Sequence, residues 1–396
     1  MDNPEYRICL RCVMETTDPG IEFDEQGVCN RCKTHEIRIR KMPRAEDRER
    51  LLNELVANIK ASGVGKDYDC LIGVSGGVDS TYVAWLVKSL GLRPLAVHMD
   101  NGWDSNLAVE NIEHCLKALS IDLFTNVLDW DEFRDLQLSF LKASTPDAEI
   151  PTDHAILATL YHRAAQLGLK YILYGANVRT EGLSVPTWSH GHYDWKYIRS
   201  LHARFGCTPL RTFPHLTLLD YFRLRHVLRI QFVNVLDYID YQKSDAMATI
   251  QRELGWRPYD QKHHESIYTR FYQNYILPRK FGAEKRKLHL ATLVVSGQIT
   301  REQALAELAS PLASPEELRR DKLYACKKLG ITEDQLANIM AEAPRTFWDY
   351  PSYEKSPLMK LYRLFRPLPL PARTPCRHPE AADTENTLIA DTADKL

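Results

Sequence analysis

The sequence predicts an α/β protein: a parallel-sheet domain with a glycine-rich loop, an N-terminal four-cysteine zinc knuckle before it and a C-terminal helical region after it. Three observations carry this. Short apolar runs alternate with helical patterns between residues 68 and 174, which implies parallel strands with helices packed on them. Two CxxC pairs open the chain. From about Asp220 to Trp348, helix-like segments are divided by turn signals at Gly255-Trp256-Arg257-Pro258 and Ala309-Ser310-Pro311.

The knuckle comes first, over residues 1–43. Cys9-Leu10-Arg11-Cys12 and Cys29-Asn30-Arg31-Cys32 are sixteen residues apart, the spacing of a C-x2-C…C-x2-C zinc site. Four thiolates close a tetrahedral shell, so a zinc ion held by Cys9, Cys12, Cys29 and Cys32 is structural. Four free thiols or a redox pair are the other readings of the same residues. Turns at Asp18-Pro19-Gly20 and Glu25-Gln26-Gly27 suit a small knuckle. The remaining cysteines of the nine, Cys70, Cys115, Cys207, Cys326 and Cys376, form no further CxxC pair and read as packing residues. Over residues 44–62, Leu51, Leu52, Leu55, Val56 and Ile59 recur at helical spacing, an amphipathic linker helix.

The parallel-sheet domain is expected over residues 63–219. Tyr68–Val74 is strand-like, Ser75-Gly76-Gly77-Val78-Asp79-Ser80 forms a loop, and a helix runs from Thr81 to Leu90. Strands at Leu95–Met99, Asp122–Val127 and Tyr171–Tyr174 alternate with helices near Leu107–Leu119, Trp130–Leu141 and His154–Leu167. Ligands of such sheets gather beyond the carboxyl ends of the strands. A glycine pair there lets the backbone approach an anion, and the following helix turns free N–H groups and its positive dipole end toward it. Neither G-x-x-x-x-G-K-[ST] nor GxGxxG is present.

Composition narrows the function. The 396 residues carry 51 Lys plus Arg against 52 Asp plus Glu, a net charge of −1, so no global cationic field favours nucleic acid. No apolar run approaches the roughly 20 residues of a membrane helix, and Met1-Asp2-Asn3-Pro4-Glu5 lacks the basic and apolar regions of a signal peptide. A cytoplasmic protein without a membrane or nucleic-acid partner is expected. A helix start is expected at Ser314-Pro315-Glu316-Glu317. The helical region is expected over residues 220–365, and the proline-rich, then acidic, residues 366–396 read as a disordered tail.

The Ser75–Ser80 string resembles the PP-loop of the ATP pyrophosphatases, which split ATP between its alpha and beta phosphates and adenylate an acceptor oxygen. Further stretches are similar to one PP-loop family, the N-acetyl sugar amidotransferases of the WbpG and PseA type. They are the two CxxC pairs, Val97–Trp103, Ile150–His154, Tyr174–Asn177, Lys262–Ser266 with Thr269–Gln273, Phe281–Leu290 and Ser296–Arg301. The resemblance spans Cys9 to about Leu308.

It implies an enzyme that uses ATP, Mg2+ and ammonia to turn an acetamido group of a UDP-linked sugar, a diacetamido uronic acid of lipopolysaccharide O antigen, into an acetamidino group. It implies that Val74, Ser75, Gly76, Gly77, Val78, Asp79, Ser80, Asp100, Asn101 and Gly175 bind ATP. Ser75 and Asp79 are then catalytic, with Asp79 positioning Mg2+. Lys285 and Arg286 are candidates to neutralise pyrophosphate, although an exposed basic helix face would also explain Lys285-Arg286-Lys287. Asp153, His154, Asn177, His263, Glu265 and Ser266 are candidates for the sugar or ammonia. Helix capping would equally explain Asp100 and Asp153. No glutaminase motif is found, so the resemblance implies a separate glutaminase subunit, with a cyclase-like barrel as ammonia conduit. A PP-loop tRNA thiolase and a non-catalytic nucleotide-binding protein are the alternatives. Isolated Cys70 and Cys115 and the near-neutral charge disfavour the thiolase.

Overall fold

In the computed structural model, residues 6–259 and 265–356 are described. The four cysteines of the knuckle lie on and beside helix α1 (Asn30–Lys41). After one 3-10 turn at Ala45–Asp47, the linker helix α2 runs Arg48–Ser62. The sheet then alternates strand and helix: β1 (Cys70–Gly73), α3 (Val78–Ser89), β2 (Pro94–Asp100), α4 (Asn106–Leu119) and β3 (Leu123–Val127). Next come α5 (Trp130–Ala143), α6 (Ile150–Gln166), β4 (Tyr171–Tyr174), the single turn α7 (Val178–Glu181), α8 (Trp195–Phe205), α9 (Leu218–Phe222) and β5 (Gln231–Asn234). Helices α10 (Lys243–Leu254), α11 (Ile267–Phe271), α12 (Leu277–Phe281), α13 (Lys285–Val295), α14 (Arg301–Leu308), α15 (Pro315–Leu329) and α16 (Glu333–Ala341) follow.

The five strands are all parallel, in the order β3-β2-β1-β4-β5. Central β1 pairs Leu71 with Leu95 of β2 and with Ile172 of β4. Successive residues of β1 bury on opposite faces, as a two-residue period requires. Cys70 and Ile72 join a cluster with Leu52 and Ile59 of α2, Val83 and Val87 of α3 and Ile112 of α4. Leu71 joins Leu157, Leu160 and Tyr161 of α6 on the other face. Helices therefore cover both faces. The chain leaves β1 toward β2 and β3, then returns to place β4 on the other side of β1, so the strand order reverses at β1. In a doubly wound sheet that switch point opens a crevice beyond the strand ends.

Strand β5 corrects the expectation of an all-helical region from residue 220. Its four residues follow the helical stretch Leu218–Phe222, and its register is set by distant partners, Tyr171↔Gln231 through Tyr174↔Asn234. Four residues give no period of their own, and only pairing with β4 makes them a strand. The expected helix start at Ser314 is present as a full capping box: Ser314 Oγ accepts the Glu317 N–H, and Glu317 accepts the Ser314 N–H.

A third apolar cluster gathers Met14 of the knuckle, Phe133 of α5, Tyr197 of α8, Phe271 of α11, Leu290 of α13 and Leu336 of α16. The knuckle and the C-terminal helices thus share one core with the helices flanking the sheet. Arg301 strengthens this contact by donating to the carbonyls of Cys9 and Cys12. Among the described residues no helix is long and apolar enough to cross a membrane.

Candidate active site

The loop between β1 and α3 is held by hydrogen bonds from within the chain. Val74 still belongs to the sheet, its N–H bonded to Val97 O at 3.0 Å. Gly76 has φ +80°, and a side chain there would also lie 2.8 Å from the Ala108 carbonyl, so only glycine fits. Trp256 Nε1 and Tyr259 OH donate to the Gly76 carbonyl at 2.8 and 3.1 Å. Two hydroxyls close the turn: Ser80 Oγ accepts the Ser75 N–H at 3.3 Å, and Ser75 Oγ accepts that of Gly77 at 3.4 Å. Gly77 caps α3 without a side chain. First-turn N–H groups have no acceptor within their own helix, and with the helix dipole they suit an anion.

Asp79 is turned back into the protein. Tyr241 donates to its Oδ1, and Thr180 donates to its Oδ2 at 3.3 Å. This carboxylate therefore pins α3 to α7 and to the segment after β5. Gly175 lets β4 come close: a methyl there would sit 2.8 Å from Asp79 C and Ser80 N, both backbone atoms. Gly175→Ala is expected to destabilise the chain by about 1–3 kcal/mol, read as a lower urea midpoint. An unchanged midpoint would refute the packing.

At the end of β2, Asp100 Oδ1 accepts the Gly102 N–H at 2.7 Å. This is a local turn; the N-cap of α4 is Ser105, which accepts the Ala108 N–H, and not Asp100. Asn101 Nδ2 donates to Thr152 Oγ1 at 3.3 Å and so ties β2 to the first turn of α6. His98 bridges Val74 O and Asp104 Oδ2, at 2.9 and 3.0 Å. Burial works against its charged form, but the hydrogen bond and charge of Asp104 outweigh it and raise the imidazole above its ordinary range.

Residues 103–105 receive the C-terminal region. Asp104 bridges Ser266, Ser105 N–H bonds Glu265 O at 2.8 Å, and Ile267 N–H bonds Trp103 O at 2.9 Å. This contact sets the Glu265 carboxylate against the loop, with Oε1 2.8 Å from where a Gly77 side chain would begin. Ser266 caps α11 through Thr269 N–H. His263 lies outside the described residues.

The other candidates fall into three environments. Asp153 and Lys285 belong to a buried ionic network that the sequence did not reveal as a unit. Its other members are Asp147, Glu149, Ser189, His192 and Gln273. His192 Nε2 lies 3.4 Å from Asp147 Oδ2, 3.2 Å from Asp153 Oδ2 and 3.1 Å from Ser189 Oγ. Lys285 Nζ is 3.4 Å from Glu149 Oε2, which also accepts from Gln273 Nε2 at 3.0 Å. Asp153 does not cap α6; Glu149 holds the cap position. Burial, aided by Asp147 and Glu149, pushes the Asp153 carboxyl up to about 6 against the pull of His192. Burial opposes charge on His192 as well, but its bonds to Asp147 and Asp153 raise it to about 10.

His154 and Asn177 are structural. His154 Nδ1 donates to His192 O at 2.7 Å, and its Nε2 accepts the Leu216 N–H at 3.1 Å. Both nitrogens are used by the neutral ring, and burial lowers its pKa to about 4. Asn177 caps α7 through the N–H groups of Arg179 and Thr180. Arg286, expected beside Lys285 at the pyrophosphate, instead binds Glu284 and the carbonyls of Glu307, Leu308 and Ser310 at the end of α14. Lys287 pairs with Glu15. Consecutive helix positions point about 100° apart, which splits the basic run among three surroundings.

The four knuckle cysteines are fully buried, and their sulfurs lie within 4.8 Å of one another. Pairs stand at 3.8, 3.7 and 3.5 Å, close to the ~3.8 Å edge of a tetrahedron with 2.3 Å zinc–sulfur bonds. Backbone N–H groups of Arg11, Cys12 and Cys29 point at Cys9 Sγ from 3.3–3.4 Å, as around a thiolate. The donor set fits a tetrahedral metal ion. Cys70, Cys115 and Cys326 are buried, while Cys207 is exposed.

Residues 265–366 match the family model for the C-terminal domain of WbpG-like LPS biosynthesis proteins. This stretch of the chain is similar to that domain. The matched stretch opens on Glu265, whose carboxylate faces the loop, and includes Gln273 and Lys285 of the buried network. Among solved structures, a predicted subunit of a tRNA methyltransferase from Methanocaldococcus jannaschii is 16% identical, with 46% of this chain and 75% of that chain covered and a TM-score of 0.28. NMN synthetase from Francisella tularensis is 13% identical, covers 75% of this chain and 97% of its own, and also has a TM-score of 0.28. No curated protein matches the chain.

Proposed function

We propose that this protein is an ATP-dependent N-acetyl sugar amidotransferase of lipopolysaccharide biosynthesis, acting on a UDP-linked diacetamido uronic acid of O antigen. One observation carries the reading: the first residue of the WbpG-like domain, Glu265, stands against the glycine loop at the switch point of the sheet. This supports a site shared by the matched stretch and the loop.

An amide carbonyl resists amines because its nitrogen donates into it, so its oxygen must first become a leaving group. In the proposed reaction the acetamido oxygen attacks the alpha phosphorus of ATP, giving an O-adenyl imidate and pyrophosphate. Ammonia then adds to the imidate carbon, and AMP departs with the oxygen. Ser75, Ser80 and the first turn of α3 would hold the phosphates, and Mg2+ would offset their charge. Zinc in the four-cysteine knuckle would brace the fold.

Ammonia would come from a separate glutaminase subunit, with a cyclase-like barrel as conduit. The exposed Cys207 lies in a turn whose N–H, with that of Thr208, is held by Asp135, which is a structural setting. A sulfur-transfer alternative draws no support from Cys70, Cys115 or Cys326, all buried.

The test is to incubate the protein with ATP, Mg2+, ammonium and a panel of UDP-acetamido sugars. Pyrophosphate and AMP are expected together with a sugar lighter by the difference between O and NH. ATP cleavage with no altered sugar would overturn the acceptor.

A further inference from the structure

Strand β5 forms one edge of the sheet, and the helix before it carries apolar side chains on two sides. Helix α9 and the π turn that continues it, Arg223–Val227, turn Tyr221 and Leu224 inward, where they pack with Tyr161 of α6. A surface helix ordinarily presents polar residues on its other side. Here Leu219 is 80% exposed, Phe222 52% and Val227 64%, and exposed Arg223, His226 and Arg229 stand among them. The one acid of residues 218–229, Asp220, is held by Thr217 in a capping box. Clustered exposed apolar side chains mark a contact surface, and their cationic neighbours give that surface a sign. Arg229 leads into the amino end of β5, so the face extends away from the strand ends that carry the glycine loop.

Tyr353, close to the last described residue, Ser356, returns the chain to this edge. Its N–H bonds Asp194 Oδ2 at 2.7 Å, and the Tyr193 ring beside Asp194 lies 5.6 Å from that of Tyr221. Residues 357–379 contain five Lys and Arg and no acid, with Leu358, Met359, Leu361, Leu364 and Phe365 among them. The chain's near-neutral total hides this excess, because residues 380–396 hold five acids. We propose that the face of Leu219, Phe222, Arg223, Val227 and Arg229 docks on an anionic membrane surface. Acyl chains receive the apolar side chains, and headgroup phosphates receive the guanidiniums. A membrane offers this chemistry to the helix and to the neighbouring basic sequence alike, without the matching shape that a folded acidic partner would have to supply. Such a contact lies on the bilayer and needs no spanning run. The proposal is independent of the amidotransferase reading, and its test uses neither ATP nor sugar.

The full chain is mixed with vesicles of phosphatidylglycerol and phosphatidylethanolamine, or of phosphatidylcholine alone, and sedimented. Binding to the phosphatidylglycerol vesicles is expected, falling as salt rises, with little binding to phosphatidylcholine. Leu219→Asp with Phe222→Asp, and separately Arg223→Glu with Arg229→Glu, are expected to weaken binding by about tenfold or more. All four side chains are exposed, so thermal midpoints should stay near the parent's; if the aspartate pair folds poorly, the glutamate pair still decides. No sedimentation with phosphatidylglycerol, equal binding to phosphatidylcholine, or unaltered binding in either folded variant would overturn the proposal. A parent retained by immobilised polyglutamate but not by the vesicles would assign the face to an acidic protein. A parent dimer that the aspartate pair turns into a monomer would assign it to a second copy of the chain. Either result would overturn the membrane contact.

Discussion

Asp79→Ala is expected to reduce pyrophosphate release from ATP by about a hundredfold or more, with a loss of stability of about 1–3 kcal/mol. Both effects have one cause. Asp79 lies in the first turn of α3 and is bonded by Tyr241 and Thr180, so it fixes the helix end proposed to hold the phosphates. The alanine chain leaves the Tyr241 hydroxyl, on a residue only 1% exposed, without that acceptor. Tyr241→Phe separates the two effects. It removes one of the bonds to Asp79 but keeps the carboxylate, so its activity loss should be much smaller. Steady-state pyrophosphate release and urea unfolding of both variants check this. Activity in Asp79→Ala within a few-fold of the parent would remove Asp79 from the loop's machinery.

Cys29→Ser is expected to lose the metal and to unfold the knuckle. Structural zinc contributes on the order of 10–16 kcal/mol to the folding of isolated fingers, as much as a typical whole domain's net stability of about 5–15 kcal/mol. Here the loss would spread, because Cys9, Cys12, Cys29 and Cys32 belong to the same apolar cluster as Phe133, Tyr197 and Leu290. Elemental analysis should give one zinc per parent chain and none in the variant. The thermal midpoint should fall, and cleavage near the N-terminus by protease should quicken. A parent chain that folds with no metal would overturn the zinc assignment.

The glycine loop was legible because its chemistry is local. Gly76 needs a left-handed backbone and Gly77 a close approach, and the flanking apolar run and helix lie within twenty residues. The knuckle was legible for the same reason, since two CxxC turns each aim two sulfurs at one point. The roles of Lys285, Arg286 and Lys287 were not legible, because what each cation meets depends on distant segments: Glu149, the end of α14 and Glu15. His154 is a similar case. Its sequence neighbourhood suggests a ligand, whereas both ring nitrogens are taken by His192 O and Leu216 N–H.

By itself the sequence determined the alternation of strands and helices, the four-cysteine donor set, the loop at a strand's carboxyl end and the helix start at Ser314. All are announced by residues a few positions apart, where periodicity, CxxC spacing and turn chemistry decide. Only the tertiary structure decided the strand order, the addition of β5, the meeting of Glu265 with Gly77 and the gathering of Asp147, Glu149, Asp153, His192 and Lys285. The physical reason is that charge and hydrogen-bond pairing across a fold follow the packing of whole elements, and no local pattern in the chain encodes which distant carboxylate a given lysine will find.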